Sequence, residues 1–157
     1  MGDAGTDFLD GGTGDDRLDG GLDDDTLNGG EGDDVIDGGS GNDLLNAGPG
    51  DDRLIDILGL GKNTVFGEAG DDFLISGAED DHVEGGDGND VISDVAGTNI
   101  IIGGTGNDFL NGGGGDDTIS GEEGDDTLQG GGGTDTLDGG PGTDVCTEGE
   151  TLINCEL

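Results

Sequence analysis

An aliphatic side chain returns every nine residues along this chain. Leu9, Leu18, Leu27, Ile36, Leu45 and Leu54 keep that spacing, and after one step of eleven Val65, Leu74, Val83, Ile92, Ile101, Leu110, Ile119, Leu128 and Leu137 resume it, with Cys146 closing the row. Gly and Asp dominate the positions between, so residues 29 to 46 read "GGEGDDVID GGSGNDLLN", two versions of one phrase. A fixed period of this kind signals a repeat architecture, in which each unit buries its apolar face only against its neighbours. With the aliphatic residue as position 8, units start at Gly2, Gly11, Gly20, Gly29, Gly38, Ala47, Asp56, Gly67, Ser76, Gly85, Asp94, Gly103, Gly112, Gly121, Gly130 and Gly139. The unit from Asp56 to Phe66 has eleven residues and the others nine.

The pattern predicts an all-β fold. Positions 7 to 9 form a three-residue strand, and alternation along it sends position 8 inward and positions 7 and 9 outward. Glycines at positions 1, 2 and 4 suit a backbone that turns sharply and brings its carbonyls close to something small. Both prolines, Pro49 and Pro141, fall at position 3, inside the loop, where they spare the strand ladder. Position 6 is Asp in every unit except those carrying Asn63 and Asn99. The expected organisation is a repeat domain over residues 2–147 and a C-terminal capping segment over residues 148–157.

Composition changes this picture only by asking what holds the repeats together. Of 157 residues 41 are Gly, and 40 acidic side chains face 3 basic ones, for a formal net charge of −37. Such a composition without a period describes a disordered chain, since little apolar surface is available to offset the ordering entropy. The periodicity argues against that. Nucleic acid is excluded as a partner because Arg17, Arg53 and Lys62 are scattered singly. No membrane span is expected either, the longest aliphatic runs, "LIDILGLG" and "NIII", being far too short. What so many carboxylates attract is cations.

The block "GGxGxDx(aliphatic)x" resembles the RTX (hemolysin-type) calcium-binding nonapeptide, and the resemblance covers residues 2–147. It implies a right-handed parallel β-roll with two units per turn, loops stacked on two rims, and Ca²⁺ held between loop n and loop n+2 by position 6 aspartates and loop carbonyls, hard oxygen ligands of the kind this ion prefers. Sixteen units then make about eight turns, roughly 38 Å long at about 4.8 Å per strand. Even-numbered units share one rim, whose ligands are Asp16, Asp34, Asp52, Asp72, Asp90, Asp108, Asp126 and Asp144, implying seven sites. The other rim carries Asp7, Asp25, Asp43, Asn63, Asp81, Asn99, Asp117 and Asp135. Its centre is expected to bind poorly, because both asparagines lie there and Glu79 replaces a loop glycine; Asp23 makes a similar replacement nearer the start. The expected load is about ten calcium ions.

Calcium is expected to be structural. A single inward row buries too little apolar surface to offset backbone ordering, and about ten divalent ions would cancel about 20 of the negative charges. Folding and binding then become one event. EF-hand loops do not match the nine-residue unit, and "GLGKNT" at residues 59–64 fails as a phosphate loop because Asp56 and Asn63 stand where Gly and Ser or Thr are required. An ice-binding roll needs a regular outward rank, whereas position 3 of the first six units reads Ala, Thr, Leu, Glu, Ser, Pro. Catalysis is not expected: His82 is the single histidine, at an outward position beside Asp80, Asp81 and Glu84. The first residues, "GDAGTDFLD", lack the basic start and apolar segment of a signal peptide.

Cys146 and Cys155 suggest a disulfide that closes the C-terminal segment while "TLIN" folds over the last strand edge, and a disulfide in turn suggests a secreted protein. Outward positions turn apolar in the centre, with Ile55, Phe73, Ile75, Val91 and Phe109 on the even sheet and Phe66, Ile100 and Ile102 on the odd sheet. Stacking should join them into contiguous patches that dock a protein or domain partner. The expected function is an extracellular calcium-binding module for folding or interaction; the alternative is the repeat portion of a larger secreted protease, lipase, epimerase or toxin.

Overall fold

The computed structural model describes residues 1–56 and 60–156. Part of the eleven-residue unit, including the first residue of "GLGKNT", lies outside the described residues. Eighteen strands, numbered in chain order, form two nine-stranded sheets among these residues. One sheet runs β1 (Asp3–Ala4), β3 (Arg17–Leu22), β5 (Val35–Ser40), β7 (Arg53–Ile55), β9 (Phe73–Ile75), β11 (Val91–Ser93), β13 (Phe109–Asn111), β15 (Thr127–Gln129) and β17 (Val145–Thr147). The other runs β2 (Phe8–Thr13), β4 (Thr26–Glu31), β6 (Leu44–Pro49), β8 (Thr64–Ala69), β10 (His82–Asp87), β12 (Ile100–Thr105), β14 (Thr118–Glu123), β16 (Thr136–Asp138) and β18 (Thr151–Ile153). Every pairing between strands is parallel, and like follows like: positions 7–9 of even units build the first sheet and those of odd units the second, while β1, from the loop of unit one, joins the first sheet. The result is an all-β parallel solenoid of about eight turns.

The inward row is continuous. Ile36 pairs with Leu54 and Leu54 with Leu74 on one side, while Leu27, Leu45 and Val65 are in register on the other. The eleven-residue unit therefore leaves both ladders in step. Fifteen position 8 side chains, from Leu18 to Cys146, are buried between the sheets, with Leu9 partly buried at the open first turn. Among the described residues, that row and buried Ala47 make the hydrophobic core. It is one side chain wide.

Nine strands run six residues where three were expected. In β2 and β4 the pairs Phe8↔Thr26, Leu9↔Leu27 and Asp10↔Asn28 are followed, after one skipped residue, by Gly12↔Gly30 and Thr13↔Glu31. The skipped residue is position 1. The positive φ at position 2 (Gly30, 110°) bends the chain there without ending its pairing.

The C-terminal segment adds to the roll as well as closing it. β18 pairs with β16, setting Leu152 against Leu137 as though another unit followed. The Cys146–Cys155 disulfide, with Cα atoms 5.7 Å apart, returns the chain across the end, where Glu156 bridges to Val145 of β17. "TLIN" thus extends the odd sheet, and the residues after it cover the edge of the even sheet.

The outer faces differ from each other. On the even sheet Phe73, Val91 and Phe109 are neighbours in register, with the Arg53 guanidinium 4.8 Å from the Phe73 ring centre. On the odd sheet Glu84 stands between Phe66 and Ile102, and His82 between Thr64 and Ile100. The expected contiguous patch therefore forms on the even face and is interrupted on the odd face by a polar rung, in which His82 Nε2 lies 2.7 Å from Glu84 Oε1.

Candidate metal centres on the two rims

On the even rim each aspartate at position 6 is placed by the turn before it. In unit four the turn passes through Gly32 at φ 128°, where any side chain would collide with the backbone of Gly14 in the loop below. The chain then swings Asp34 inward, and its Oδ1 accepts the backbone N–H of Asp16 at 2.7 Å. The same bond repeats upward through Asp52, Asp72, Asp90, Asp108, Asp126 and Asp144 at 2.7–2.9 Å. One oxygen of each carboxylate is thereby used to stack the loops. The other, Oδ2, is buried without a hydrogen-bond partner in Asp34, Asp52, Asp72, Asp90, Asp108, Asp126 and Asp144.

Those orphaned oxygens face a small cradle. A methyl group added at Gly85 would collide with Asp90 Oδ2 and with the carbonyl oxygen of Gly103 in the loop above. At position 1, then, glycine is needed for close approach. Ala47 is the one exception on this rim, and its methyl is fully buried. Burial pushes Asp52 and Asp90 up to about 6 and Asp72 and Asp108 up to about 7; the stacking N–H bond partly opposes this and neighbouring carboxylates reinforce it. A buried carboxylate so displaced needs a proton or a cation.

The odd rim repeats this arrangement at its ends. Its ladder runs from Asp7 through Asp25, Asp43, Asn63, Asp81, Asn99, Asp117 and Asp135, and Glu150 completes it by accepting the Asp135 N–H at 2.7 Å. Oδ2 is again buried and unpartnered in Asp25, Asp43, Asp81, Asp117 and Asp135. Asp23 and Glu79 do not distort the loops, since both take the left-handed conformation of the glycines they replace, at φ 74° and 95°. That strain costs on the order of 1 kcal/mol each.

The centre of the odd rim is built differently. Asp56, Ser76 and Asp94 replace the glycine of position 1, and all three side chains are buried. Asn63 Nδ2 donates to Asp56 Oδ2 at 2.5 Å, and Gly39 N–H donates to Asp56 Oδ1 at 3.1 Å. Asn99 Nδ2 donates to the carbonyl of Gly112 at 3.3 Å, so an amide reaches the oxygen that faces a carboxylate elsewhere. Ser76 Oγ donates to Asp94 Oδ2. Burial pushes both Asp56 and Asp94 up to about 7, and the facing Asp81 carboxylate adds to the effect at Asp94.

Among the described residues no three His, Cys, Asp or Glu side chains converge on a point. A cation on either rim must therefore combine carboxylate oxygens with backbone carbonyls, an oxygen set that suits a hard ion such as calcium. A model of the RTX calcium-binding nonapeptide repeat matches residues 1–36, 19–54, 58–92, 95–128 and 112–146. The chain belongs to the RTX repeat family. Its nonapeptides are thus calcium-binding repeats in a parallel solenoid, a structural metal-binding architecture. No curated protein matches the chain.

Sequence reasoning overlooked several residues of this RTX roll. Asp56, Ser76 and Asp94 were visible as departures from glycine at position 1. Glu150 was hidden because the unit that contains it is shortened. A second, exposed ladder at position 5 was hidden behind the first: Asp15, Asp33, Asp51, Asp71, Asn89, Asn107 and Asp125 each accept the backbone N–H of position 5 one turn on, at 2.8–3.2 Å. His82, one-third exposed on the outer face, takes no part in either rim.

Proposed function

We propose that this RTX roll, spanning residues 2–147 with residues 148–157 as its cap, is an extracellular module whose folding is driven by about ten calcium ions held between stacked loops. The observation that carries the reading is the file of buried, unpartnered Oδ2 atoms on both rims. The ligands on the even rim are Asp16, Asp34, Asp52, Asp72, Asp90, Asp108, Asp126 and Asp144, and on the odd rim Asp7, Asp25, Asp43, Asp81, Asp117 and Asp135. Ion-free, the roll would hold these carboxylates against one another beneath a core one side chain wide. A disulfide in the cap favours an oxidising exterior, where calcium is abundant. The aromatic stack of Phe73 and Phe109 around Val91 on the even sheet is the surface best suited to a partner.

Calcium titration followed by circular dichroism tests the reading. In chelator the chain is expected to lose most of its β signal and to regain it cooperatively at about 0.1–1 mM calcium, the range of extracellular modules. A β spectrum indifferent to chelator would overturn it.

A further inference from the structure

The two units that lack a carboxylate at position 6 are the two that gain one at position 1: Asp56 accompanies Asn63, and Asp94 accompanies Asn99. No other unit has an acid at position 1. The consequences at the two places differ. Asp56 is closed by hydrogen bonds on both oxygens, from Gly39 N–H and Asn63 Nδ2. Asp94 is not: Ser76 satisfies its Oδ2, while its Oδ1 is buried with no partner. In the unit below, Asp81 Oδ1 accepts the Asn63 N–H at 2.7 Å and Asp81 Oδ2 is likewise buried and unpartnered. Asp81 and Asp94 are 3% and 4% exposed. The basic side chains are elsewhere, Lys62 paired with Asp80, Arg53 over Phe73 and Arg17 on β3, and His82 faces Glu84 on the outer surface.

We infer that Asp81, Asp94 and the Ser76 hydroxyl form a rewired site for one hard divalent cation at the centre of the odd rim, in which Asp94 supplies from position 1 the carboxylate missing at Asn99. The site differs from its neighbours in lining. Elsewhere the space beside position 1 is bounded by one carboxylate oxygen and a carbonyl, whereas here side chains from two position 1 residues enter it. One turn further on, the amide of Asn99 already satisfies the Gly112 carbonyl, so the rung above needs no ion. The odd rim thus skips a rung at Asn99 and keeps one at Asp81. This inference rests on the calcium reading of the rims.

Two measurements decide it. Crystals of the full chain grown in calcium should show anomalous density between Asp81 and Asp94 and none between Asn99 and Gly112. Density on the even rim with none at Asp81–Asp94 overturns the inference, the pair then sharing a proton; no density on either rim overturns the calcium reading itself. In solution, Asp94→Asn should bind one ion fewer than the parent when bound calcium is counted by equilibrium dialysis at saturation. An unchanged count overturns the inference. The crystallographic arm uses the unaltered protein, so it decides the matter even where the variant fails to fold.

Discussion

The even rim and the centre of the odd rim solve one problem in two ways. Both stack loops by donating a position 6 backbone N–H to the side chain one turn on, with similar bond lengths. On the even rim that leaves a buried carboxylate oxygen on every rung from Asp34 to Asp144. At Asn63 and Asn99 the corresponding atom is an amide nitrogen that carries its own protons, and it donates to Asp56 or to Gly112. A buried polar atom costs little once it is partnered and several kcal/mol when it is a bare charge. Under the proposed function the even rim would need an ion on each of these rungs, whereas the odd rim contains two rungs, at Asn63 and Asn99, whose buried side-chain atoms are partnered by neighbouring groups.

Converting an even rung into an odd one should have the largest effect. Asp90→Asn keeps the oxygen that accepts the Asp72 N–H and replaces the orphaned oxygen by an amide, as at Asn99. Removing one charge from a site built around a buried ion should cost on the order of 3 kcal/mol, the scale of breaking a buried charge pair, and take an ion from the saturated roll. Shared over about ten ions bound on folding, that cost raises the calcium midpoint about 1.5- to 2-fold. Circular dichroism against calcium concentration measures it. An unshifted midpoint together with an unchanged count of bound ions would mean that Asp90 holds no ion.

The cap should come next. The Cys146–Cys155 bond closes a loop spanning a sequence separation of 9 and joins the tail to the last inward residue, at the end where Glu150 completes the odd ladder. Loop closure of that size stabilises by about 2.5 kcal/mol. Cys155→Ser, measured by denaturant unfolding in saturating calcium, should lose about that much. The number of ions bound at saturation should not change, unlike in Asp90→Asn, because the disulfide supplies no carboxylate.

Asn63→Ala probes one of the partnered rungs and should give a smaller effect of a different kind. It removes the donor to Asp56 Oδ2 and the acceptor of the Asp43 N–H, leaving buried groups unmatched. Stability in saturating calcium should fall by about 1–2 kcal/mol. The number of bound ions should not change, which separates this variant from Asp90→Asn.

Much of this contrast was legible in the sequence, and the rest was hidden for physical reasons. The inward row, the parity of the rims and the grouping of both asparagines on one rim follow from counting, because a period of nine with two units per turn leaves few choices. Nine strands run twice as long as expected because position 1 is skipped and pairing resumes at position 2, as at Gly30, a continuation that a glycine pair conceals. The role of Asp56 and Asp94 was hidden because an acid at a loop position looks like any other of the chain's forty; only the structure shows that a side chain there enters the cradle. The break in the odd outer face depended on which residues stack, and His82 with Glu84 fell between apolar neighbours.

Acid should act oppositely on the ion-free and the loaded roll. Asp52, Asp72, Asp90 and Asp108 lie at about 6 to 7 in the ion-free fold, against an ordinary 3.8 in the unfolded chain. With a raised native value the fold binds more protons than the unfolded chain, so this contribution is fully present below about pH 4 and is lost as pH rises through about 6 to 7. In chelator, residual β signal should therefore increase between pH 8 and pH 5. In calcium the same carboxylates must be ionised to hold the ion, so the calcium midpoint should rise over that interval. Curves running in the same direction would show that these carboxylates are not the ion's ligands.

The smallest effects belong to the outer faces of the two sheets. Phe109 is 42% exposed and touches the strand stack from outside, so Phe109→Thr should change stability by no more than about 0.5 kcal/mol. Phe73 also carries the Arg53 guanidinium on its ring, and Phe73→Thr should cost about 0.5–1 kcal/mol more. The odd face, broken by His82 and Glu84, should tolerate Ile100→Thr as easily as the even face tolerates Phe109→Thr. Solution mass and apolar-dye binding in calcium distinguish the faces where stability does not. If the even stack is a partner surface, the parent should bind dye or self-associate and Phe73→Thr with Phe109→Thr should abolish it, while Ile100→Thr leaves it unchanged. A parent that is monomeric and dye-silent, with a double variant behaving identically, would reduce the aromatic stack to a covering over the β9–β13 ladder, stabilising strands that have only three residues each to pair.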